Sequence, residues 1–472
     1  MDDGATSEQR PRPSFQEILS ADGDTPPPAM FAENAPFLGT ADIDKARYFS
    51  REWHDREMDL LWPRIWQMAC REEQIPEAGD SIVYEVGTYS ILIVRGDDGV
   101  IRAFFNSCLH RGTQIRPGGR GEGMVVSTAS LTCPFHGWSW NLDGSLAHIP
   151  AKWDFPHVDE GEFGLRPVRA ESWGGFVFIN MDPAAGPLEA YLGELVPHFE
   201  RWPLEDRYIA AHVKKVMPCN WKIAQEAFIE VLHVETTHPQ TMPYIGDVNS
   251  QYDVFGDHVN RMITPQAVAS PLLPSLSEQQ IADTFIRELA GSPGPGADKD
   301  FKLPSVAVPD GGNARAVMAA VMRGNLTATT GVDHSGLSVS EVLDTTMYQL
   351  FPNFMPCGGG GVPVMFRFRP NGDDPDTSIL DVMLLYAFPQ DGERPPPAPL
   401  TTLGIDDSWF DAPELGGICA IFEQDTANMP LVHQGMKAGG RRLLGKPGVT
   451  LANYQEIRIR HYHMMLDRYL AG

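Results

Sequence analysis

Short apolar runs alternate with turn residues between about residues 75 and 180. The runs SIVYEVG, YSILIVR and VIRAFFN are rich in Ile, Val, Tyr and Phe, and a Gly-Asp-Asp-Gly turn at 96–99 separates two of them. Segments of this kind are typical of antiparallel strands, and the Asp-Gly pair at 143–144 is a hairpin signal. The pattern predicts a small all-β domain over residues 62–180.

Helical and strand patterns are mixed on both sides of this β domain. Before it, a proline-rich arm extends to about residue 40, and residues 41–70 predict a helix that Pro63 ends or kinks. After it, we predict helices at LEAYLGELVPHFERW, 220–234, 411–438 and 453–470, and strands at YIAAHVKKVMP, VMFRFRP and SILDVMLLYAF. Residues 270–340 contain Pro- and Gly-rich pieces around short helical stretches, which predicts a loop region over a site rather than a core. The predicted fold class is α+β, with the small all-β domain inserted in a larger domain of antiparallel sheet and helices.

The net charge restricts the classes of partner. With 37 basic and 62 acidic residues among 472, the formal charge is −25, which argues against nucleic acid or an anionic membrane. No apolar run reaches 18 residues, MDDGATSEQR has no secretory pattern, and six cysteines are too few for a disulfide scaffold. We expect a soluble, cytoplasmic protein with reduced thiols, whose important cysteines are metal ligands or catalysts.

Two short motifs in the β domain each pair one cysteine with one histidine. Cys108 and His110 lie in NSCLHRG, and Cys133 and His136 lie in CPFHGWSW. Between His110 and Cys133 there are 22 residues. A tight loop at each motif would present two ligands to one centre. A two-iron Rieske cluster, with two thiolates on one iron and two imidazoles on the other, needs each loop to contact both irons.

Two other interpretations of these four residues stay open. A Cys2His2 set also holds tetrahedral zinc, although zinc fingers pair like ligands within one loop. The residues are alternatively ordinary members of a β domain, because cysteine is often simply buried.

A second group of polar residues lies in the predicted helix at 220–234. Most of its positions are apolar, and Glu226, Glu230 and His233 fall on one face at i, i+4 and i+7. A helix this apolar is buried nearly all round, so its polar stripe needs partners inside the protein. The alternative without a functional site is that Glu230 and His233 form an ordinary pair on the surface of a helix.

A metal site requires two more residues at a distance along the chain. His238 follows His233 by five residues, about 140° around a helix, so both reach one ion only if the helix unwinds between them. Asp425 falls on an apolar helical stripe, where a carboxylate needs a cation. Two His and one Asp make the facial triad of non-haem Fe(II) oxygenases. Alternatively, the His spacing is chance and Asp425 pairs with Arg441 or Arg442.

These residues resemble the large (α) subunit of the Rieske non-haem iron aromatic-ring-hydroxylating oxygenases. The resemblance covers 41–240 and 405–440, in C-x-H-R-G with C-P-x-H-G-W, N-W-K-x3-E-x3-E-x2-H-x4-H-P and E-Q-D-x8-Q-G. It implies a [2Fe–2S] cluster with one iron on the two cysteines and the other on the two histidines, and a mononuclear Fe(II), one of each per subunit. The iron ligands it implies are Cys108, Cys133, His110 and His136 for the cluster, and His233, His238 and Asp425 for Fe(II).

The resemblance also implies an organisation and partners. Residues 1–61 would be an arm and helix packing on the catalytic domain, 62–180 the Rieske domain and 181–472 a catalytic domain of the helix-grip type. Glu230 would stand where the family has an acidic bridge, usually Asp, that carries electrons from the cluster of a neighbouring subunit. Such proteins are homotrimers or α3β3 assemblies with a small β subunit, and they receive NAD(P)H electrons from an external reductase or ferredoxin.

The implied activity is O2-dependent hydroxylation, with cis-dihydroxylation of an aromatic or polycyclic substrate as the leading hypothesis and aromatic hydrocarbon catabolism as its setting. Within the same chemistry, the alternative is a monooxygenase or an O- or N-demethylase acting on an aromatic or terpenoid-like compound. Alternatives of another class are an electron-transfer Rieske protein and a zinc-stabilised binding module. Phe228 and Val234 are candidate contacts in an apolar substrate pocket.

Overall fold

The computed structural model describes residues 13–118, 123–290, 306–390, 393–440 and 448–471. Its contacts divide the chain into two units. The larger unit consists of the chain up to His54, Leu192–Phe368 and Pro375–Ala471, and the smaller unit of Asp55–Tyr191 and Arg369–Asp374. The smaller unit is therefore inserted in the sequence of the larger one. The functional boundaries at 62 and 180 stay a prediction.

The smaller unit is built on antiparallel strands. Its seven-stranded sheet has the order β2-β11-β10-β5-β4-β3-β6, and a three-stranded sheet has the order β7-β8-β9. The strands are β2 (Gln67–Arg71), β3 (Asp80–Val86), β4 (Tyr89–Arg95), β5 (Ile101–Phe105), β6 (Val126–Ser127), β7 (Leu131–Thr132), β8 (Ser139–Trp140), β9 (Leu146–His148), β10 (Pro167–Trp173) and β11 (Phe176–Asn180).

The hairpin expected at Asp143-Gly144 is confirmed. It joins β8 to β9, and the Gly144 N–H donates to the carbonyl of Asn141. Gly144 has φ +86°, and a Cβ there would lie 2.4 Å from the ring of Phe104. Glycine is therefore required by both conformation and space. The close approach joins the hairpin to the unit's apolar core, which also contains Cys108 and Cys133.

The larger unit contains an eight-stranded sheet of order β13-β14-β15-β16-β17-β18-β12-β19, and a two-stranded sheet of β1 and β20. Strand β19 runs parallel to β12, whereas β12 is antiparallel to β18. The strands are β1 (Ile43–Asp44), β12 (Arg207–Met217), β13 (Gln251–Phe255), β14 (Val259–Thr264), β15 (Thr345–Leu350), β16 (Met355–Gly358), β17 (Val364–Asn371), β18 (Asp374–Ala387), β19 (Leu400–Leu403) and β20 (Gly448–Val449).

Helices accompany this sheet, which confirms the α+β fold class. The α-helices are α1 (Phe15–Ala21), α2 (Arg51–Arg56), α3 (Leu188–Leu192), α4 (Leu195–Phe199), α5 (Trp221–Glu226), α6 (Val234–Thr237), α7 (Glu278–Ala290), α8 (Ala314–Thr330), α9 (Val339–Leu343), α10 (Ile418–Gly439) and α11 (Ile457–Leu470). No helix of the described chain is long and apolar enough to cross a membrane.

Helical stretches are present in the described part of 270–340, but two of them are long and they form a core, so the prediction of a loop region rather than a core is wrong there. Helices α7, α8 and α9 share a core that includes Phe285, Met318 and Val342. Helix α8 is rich in alanine, begins after an Asn313 side chain that accepts the N–H of Ala316, and ends at Gly331 with φ +73°. These are strong helix signals that the nearby glycines and prolines obscured. The segment GSPGPGADKD, 291–300, lies outside the described residues.

Two other predicted helices have different bounds. Over the helix predicted at 41–70, the structure has strand β1, a 3-10 turn at Lys45–Tyr48, helix α2, a π turn at Glu57–Leu61 and a 3-10 turn at Trp62–Arg64. Strand β2 begins at Gln67, so the end of the predicted helix is a strand. The helix predicted from 411 begins only at Ile418, because two 3-10 turns, Trp409–Asp411 and Pro413–Leu415, precede it. The first of these turns is capped by Ser408, whose side chain accepts the N–H of Phe410.

Candidate functional site

Two loops of the smaller unit have the same backbone hydrogen-bond pattern. The N–H of Cys108 donates to Thr113 O, and the N–H of Gly112 returns to Cys108 O. In the second loop, the N–H of Cys133 donates to Trp138 O, and the N–H of Gly137 returns to Cys133 O. Gly112 and Gly137 have φ of +76° and +74°, so each closes its turn in a conformation that favours glycine. The Cys-x-His and Cys-x-x-His motifs thus form a matched pair.

The two histidines of these loops lie side by side. The ring centroids of His110 and His136 are 4.6 Å apart, and Trp138 stacks on His110 at 5.2 Å. The buried Nδ1 of His110 has no hydrogen-bond partner among the described residues. Burial, followed by the charge of His136, lowers the pKa of His110, which favours the neutral imidazole that a metal requires.

The two cysteine sulfurs interact with each other and with the loop backbones. Burial raises the pKa of Cys108, against hydrogen bonds from the N–H groups of His110 and Arg111. Burial also acts to raise the pKa of Cys133, but the N–H groups of Phe135 and His136 outweigh it and lower the pKa. Backbone N–H groups aimed at sulfur stabilise thiolate and tune a bound cluster. Two sulfurs and two adjacent imidazoles fit a Rieske cluster.

A different group of residues converges in the larger unit, at the two ends of one helix and on a second helix. His233 precedes helix α6, His238 ends it, and Asp425 lies on helix α10. Nε2 of His238 is 2.9 Å from Oδ1 of Asp425, and Nε2 of His233 is 3.6 Å from the same oxygen. One ligand atom from each of the three residues lies within 4.8 Å of the others, so one ion fits between them.

The helix predicted over 220–234 is interrupted, and this interruption shapes the site. Helix α5 ends at Glu226, after which the N–H of Ile229 donates to Glu226 O. The carboxylate of Glu230 then accepts the N–H groups of Leu232 and His233, which stand at the start of α6. A carboxylate that satisfies these N–H groups replaces helical carbonyl acceptors, so the chain turns instead of continuing the helix.

The two histidines meet in a way that differs from the prediction. The predicted unwinding between them is wrong, because the single turn of α6 lies there and the N–H of His238 still donates to Val234 O. The chain leaves the helix at His238 itself, with φ −125° and ψ 47°. As a result the two rings stand 5.2 Å apart at an interplanar angle of 72°.

Each histidine is held from behind by an acceptor on its other nitrogen. Nδ1 of His233 lies 2.6 Å from Oε1 of Glu230, and Nδ1 of His238 lies 2.8 Å from Oε1 of Gln424. With protons on both Nδ1 atoms, both Nε2 lone pairs are directed to the shared position beside Asp425. Such outer partners orient metal-binding imidazoles and raise their basicity. The donor set and this orientation fit a mononuclear Fe(II).

Charge at this site affects His233 most clearly. Burial acts to lower its pKa, but the hydrogen bond and charge of Glu230, together with the charge of Asp425, outweigh burial and raise it. Asp425 is 6 % exposed, which confirms its predicted burial. Gln424 was not recognised as a site residue, although it stands next to Asp425 in the quoted E-Q-D motif.

The candidate pocket residues, Phe228 and Val234, are buried among apolar side chains. Phe228 packs against Phe366, Phe368 and Phe422, with ring centroids 4.9 to 5.8 Å apart. Val234 is buried at the start of α6, next to His233. Phe422 precedes Asp425 by three residues on α10, so the aromatic group adjoins the metal-site helix.

Comparison with known proteins finds a family match for each of two stretches of the chain. Residues 65–159 match the Rieske [2Fe-2S] domain family, and residues 196–472 match the ring hydroxylating alpha subunit (catalytic domain) family. The chain belongs to the ring-hydroxylating α-subunit family. Membership of both families implies a Rieske cluster and a mononuclear iron as cofactors.

Curated relatives of this family member differ in their named activities. The carnitine monooxygenase oxygenase subunit of Escherichia coli is 35% identical over 194 residues, which are 41% of this chain and 50% of the relative. The biphenyl 2,3-dioxygenase subunit alpha of Rhodococcus jostii is 33% identical over 204 residues, 42% of this chain and 43% of the relative. The chain spans about half the length of the curated relatives it matches.

Solved structures extend the similarity of fold to nearly the whole α-subunit chain. A quaternary ammonium Rieske monooxygenase studied for carnitine oxidation matches with a TM-score of 0.62 at 19% identity, over 93% of this chain and 99% of the other. A naphthalene 1,2-dioxygenase variant bound to phenanthrene matches with a TM-score of 0.61 at 18% identity, over 93% and 94%.

Proposed function

We propose that this protein is the terminal oxygenase of a multicomponent system, which hydroxylates an apolar aromatic or polycyclic substrate with O2 and externally supplied electrons. Cys108 and Cys133 hold one iron of the Rieske cluster, and His110 and His136 hold the other. His233, His238 and Asp425 hold the mononuclear Fe(II). The observation that carries the proposal is the convergence of two Nε2 atoms and one carboxylate oxygen within 4.8 Å.

The mononuclear iron, when bound, supplies O2 activation. Three protein ligands leave open positions for O2 and water beside the substrate. Glu230 and Gln424 hold the Nδ1 protons of the two histidines, so both rings keep one tautomer and one orientation.

Glu230 is the residue we assign to the bridge between cofactors. Its carboxylate is bonded to Nδ1 of His233 and to the backbone N–H groups that begin α6. A carboxylate on this face of His233 would receive an electron path from a Rieske histidine of a neighbouring subunit. This role follows the family pattern, with Glu in place of the usual Asp.

An aromatic substrate is favoured by the side chains next to the metal-site helix. Phe228, Phe366 and Phe422 bring three rings together, and Trp409 packs against Phe422 with centroids 4.9 Å apart and the ring planes tilted by 55°. Aromatic rings pack favourably against other aromatic rings in offset or edge-to-face arrangements. We therefore place the substrate against Phe228 and Val234, and dihydroxylation is our leading reaction.

A second candidate function is monooxygenation of a quaternary ammonium compound. The curated relatives include carnitine monooxygenase oxygenase subunits, and one of them is 35% identical over 194 residues, 41% of this chain. The aromatic faces near Asp425 are also compatible with it, because a quaternary ammonium group is bound by cation–π contacts. The O- or N-demethylase alternative belongs to the same monooxygenase chemistry.

We assign the electron supply to a separate NAD(P)H-dependent reductase, with or without a ferredoxin. We propose a homotrimer or an α3β3 assembly, so that the cluster of one subunit serves the iron of the next, and a cytoplasmic location. An electron-transfer Rieske protein without oxygenase chemistry would need no site of the kind formed by His233, His238 and Asp425.

The test is product formation by the full-length protein after reconstitution with iron and sulfide. It is reduced chemically and offered biphenyl, naphthalene, carnitine and γ-butyrobetaine, with O2 consumption and products measured together. We expect three irons and two acid-labile sulfides per chain and an O2-coupled diol from an aromatic compound. Product from the ammonium compounds alone would select the second candidate, and a loaded protein without O2 consumption would reject both.

A further inference from the structure

A buried carboxyl group stands one turn before Glu230 and has no part in the function proposed above. Oε2 of Glu226 accepts the phenolic O–H of Tyr48 at 3.1 Å, and Oε1 lies 2.8 Å from Nε2 of His463. Tyr48 O–H and His463 Nε2 are themselves 3.0 Å apart. Three titratable groups from three separate segments of the larger unit thus meet at one point.

The surroundings of Glu226 contain several charges of both signs. The Glu226 side chain is 13% exposed. The charge of Glu230 acts on Glu226, and the charges of Glu226 and Glu230 both act on Glu456. The titratable and charged groups that face Glu226 are Tyr48, Arg47, His463, Lys222, Glu230 and Glu456.

Glu226 holds its proton well above the pH at which an ordinary carboxyl group ionises. Burial raises its pKa to about 8, and the charge of Glu230 adds to that rise, against the Tyr48 hydrogen bond and the charges of Lys222 and Arg47. Burial and the charge of Glu226 raise the pKa of Tyr48 well above its ordinary value, so the phenol stays a neutral donor. Protonated Glu226 donates to His463 Nε2, and ionised Glu226 accepts from it, so either state keeps the contact.

The link between this acid and the metal site is electrostatic: the charge of Glu230 acts on Glu226, and Oε1 of Glu230 bonds Nδ1 of His233. Ionisation of Glu226 would place a second negative charge behind His233, beside that of Glu230. Added negative charge near a ligand favours the oxidised state of a metal and lowers its reduction potential. Because coupling between two sites is reciprocal, reduction of the metal must then strengthen proton binding at Glu226.

We propose that Glu226, with Tyr48 and His463, is a redox-linked proton site that takes up one proton when the mononuclear iron receives one electron. The proposal rests on the assignment of that iron to His233, His238 and Asp425. The external reductase supplies the electron through the Rieske cluster, and solvent supplies the proton. The carboxylate of Glu226 becomes a carboxyl group, so the charge added by the electron is balanced. Glu226 is a positioning residue in this scheme, because it acts through Glu230.

The test uses the full-length protein with both iron centres loaded, as wild type, Glu226→Gln, Tyr48→Phe and Glu235→Gln. Glutamine keeps the size and hydrogen bonds of Glu226 but does not ionise, and Glu235 is an exposed control on α6. The first readout is the infrared carbonyl band of protonated carboxyl groups from pH 6 to 10. The second is the reduction potential of the mononuclear iron across the same range, followed by electron paramagnetic resonance.

In wild type we expect an infrared band that disappears near pH 8 and a potential that falls as pH rises from about 7 to 9. Glu226→Gln should lack the band and show a flat potential over that range. Tyr48→Phe removes a donor to the carboxylate, so both changes should move to higher pH. Glu235→Gln should match wild type.

Two results would overturn the proposal: an unchanged slope of potential in Glu226→Gln, or no carboxyl band attributable to Glu226 at pH 6. If Glu226→Gln does not fold, an unchanged pH midpoint in Tyr48→Phe has the same consequence. A wild-type protein that binds no mononuclear iron would instead reject the proposed function as well. If the wild-type protein binds the mononuclear iron but its reduction potential does not depend on pH, only the proton site is rejected and the proposed function stands.

Discussion

The Nε2 atom of His238 lies 2.9 Å from Oδ1 of Asp425, although 187 residues separate them along the chain. Both side chains are almost completely buried. Two buried polar groups at this distance need a shared proton or a shared cation. With Nδ1 of His238 directed at Gln424, a cation beside Nε2 satisfies both groups.

Replacing Asp425 tests this shared position directly. Asp425→Ala should lose the mononuclear iron and reduce product formation by roughly 100-fold or more, because a direct ligand matters at least as much as the outer partners of a metal. The Rieske absorption spectrum should be unchanged. Iron analysis, visible spectroscopy and product yield measure the three effects. Leu431→Ala, an exposed change further along α10, is the control, and full activity in Asp425→Ala would remove Asp425 from the metal site.

The outer partner of His238 should influence metal affinity without being a ligand. Gln424→Leu removes the acceptor for Nδ1 of His238, and we expect the affinity for Fe(II) to fall by roughly 10- to 100-fold. Gln424→Glu keeps an acceptor at this position and should retain most of the affinity. Titration with Fe(II) under anaerobic conditions measures both variants. Equal affinities in wild type and Gln424→Leu would show that this hydrogen bond does not orient His238 for binding.

Glu230→Gln separates metal binding from electron delivery. The amide oxygen still accepts from Nδ1 of His233, so both iron centres should remain bound, but the bridging charge is lost. We expect the pKa of His233 to fall, because the charge of Glu230 contributes to raising it. Turnover should slow roughly 10-fold or more. Single-turnover oxidation of the reduced cluster measures this, with Glu235→Gln as the control, and an unchanged rate would contradict the bridge.

Cys108→Ser should abolish the red-brown colour of the protein, because a Rieske cluster needs both thiolates on one iron. A zinc protein would be colourless before and after the change. The visible spectrum and acid-labile sulfide content provide the measurement. Cys419→Ala alters a buried cysteine of the other unit and should leave the colour intact. A normal Rieske spectrum in Cys108→Ser would exclude this residue as a ligand.

Glu226 should make the stability of the protein depend on pH. Its pKa is about 8 in the folded state and near the ordinary 4.5 when unfolded, so the folded state holds the extra proton between these values. The free energy of unfolding should therefore fall as pH rises from about 4.5 to 8. In Glu226→Gln this part of the decline should be absent. Urea denaturation of both proteins at pH 5, 6.5 and 8 measures the difference, and parallel declines would place the pKa of Glu226 near its ordinary value.

Several parts of the fold were predictable because their signals are local. The strands around the Asp143-Gly144 hairpin and strand β12 agree with the short apolar runs and turn residues. The end of α5 was not predictable from periodicity, because the acceptor that turns the chain is the Glu230 side chain. The start of α10 was misplaced because two 3-10 turns, the first capped by Ser408, stand where the helix was predicted to begin.

The sequence by itself determined the two Cys–His loops, because Cys108 and His110, like Cys133 and His136, need only a tight turn to present their side chains together. It also determined the types of ligand at the second site. Only the tertiary structure decided how helix α10 brings Asp425 and Gln424 to His238, and how Tyr48 and His463 enclose Glu226. Those contacts join residues up to 237 positions apart, and packing of the larger unit, not local spacing, sets their distances.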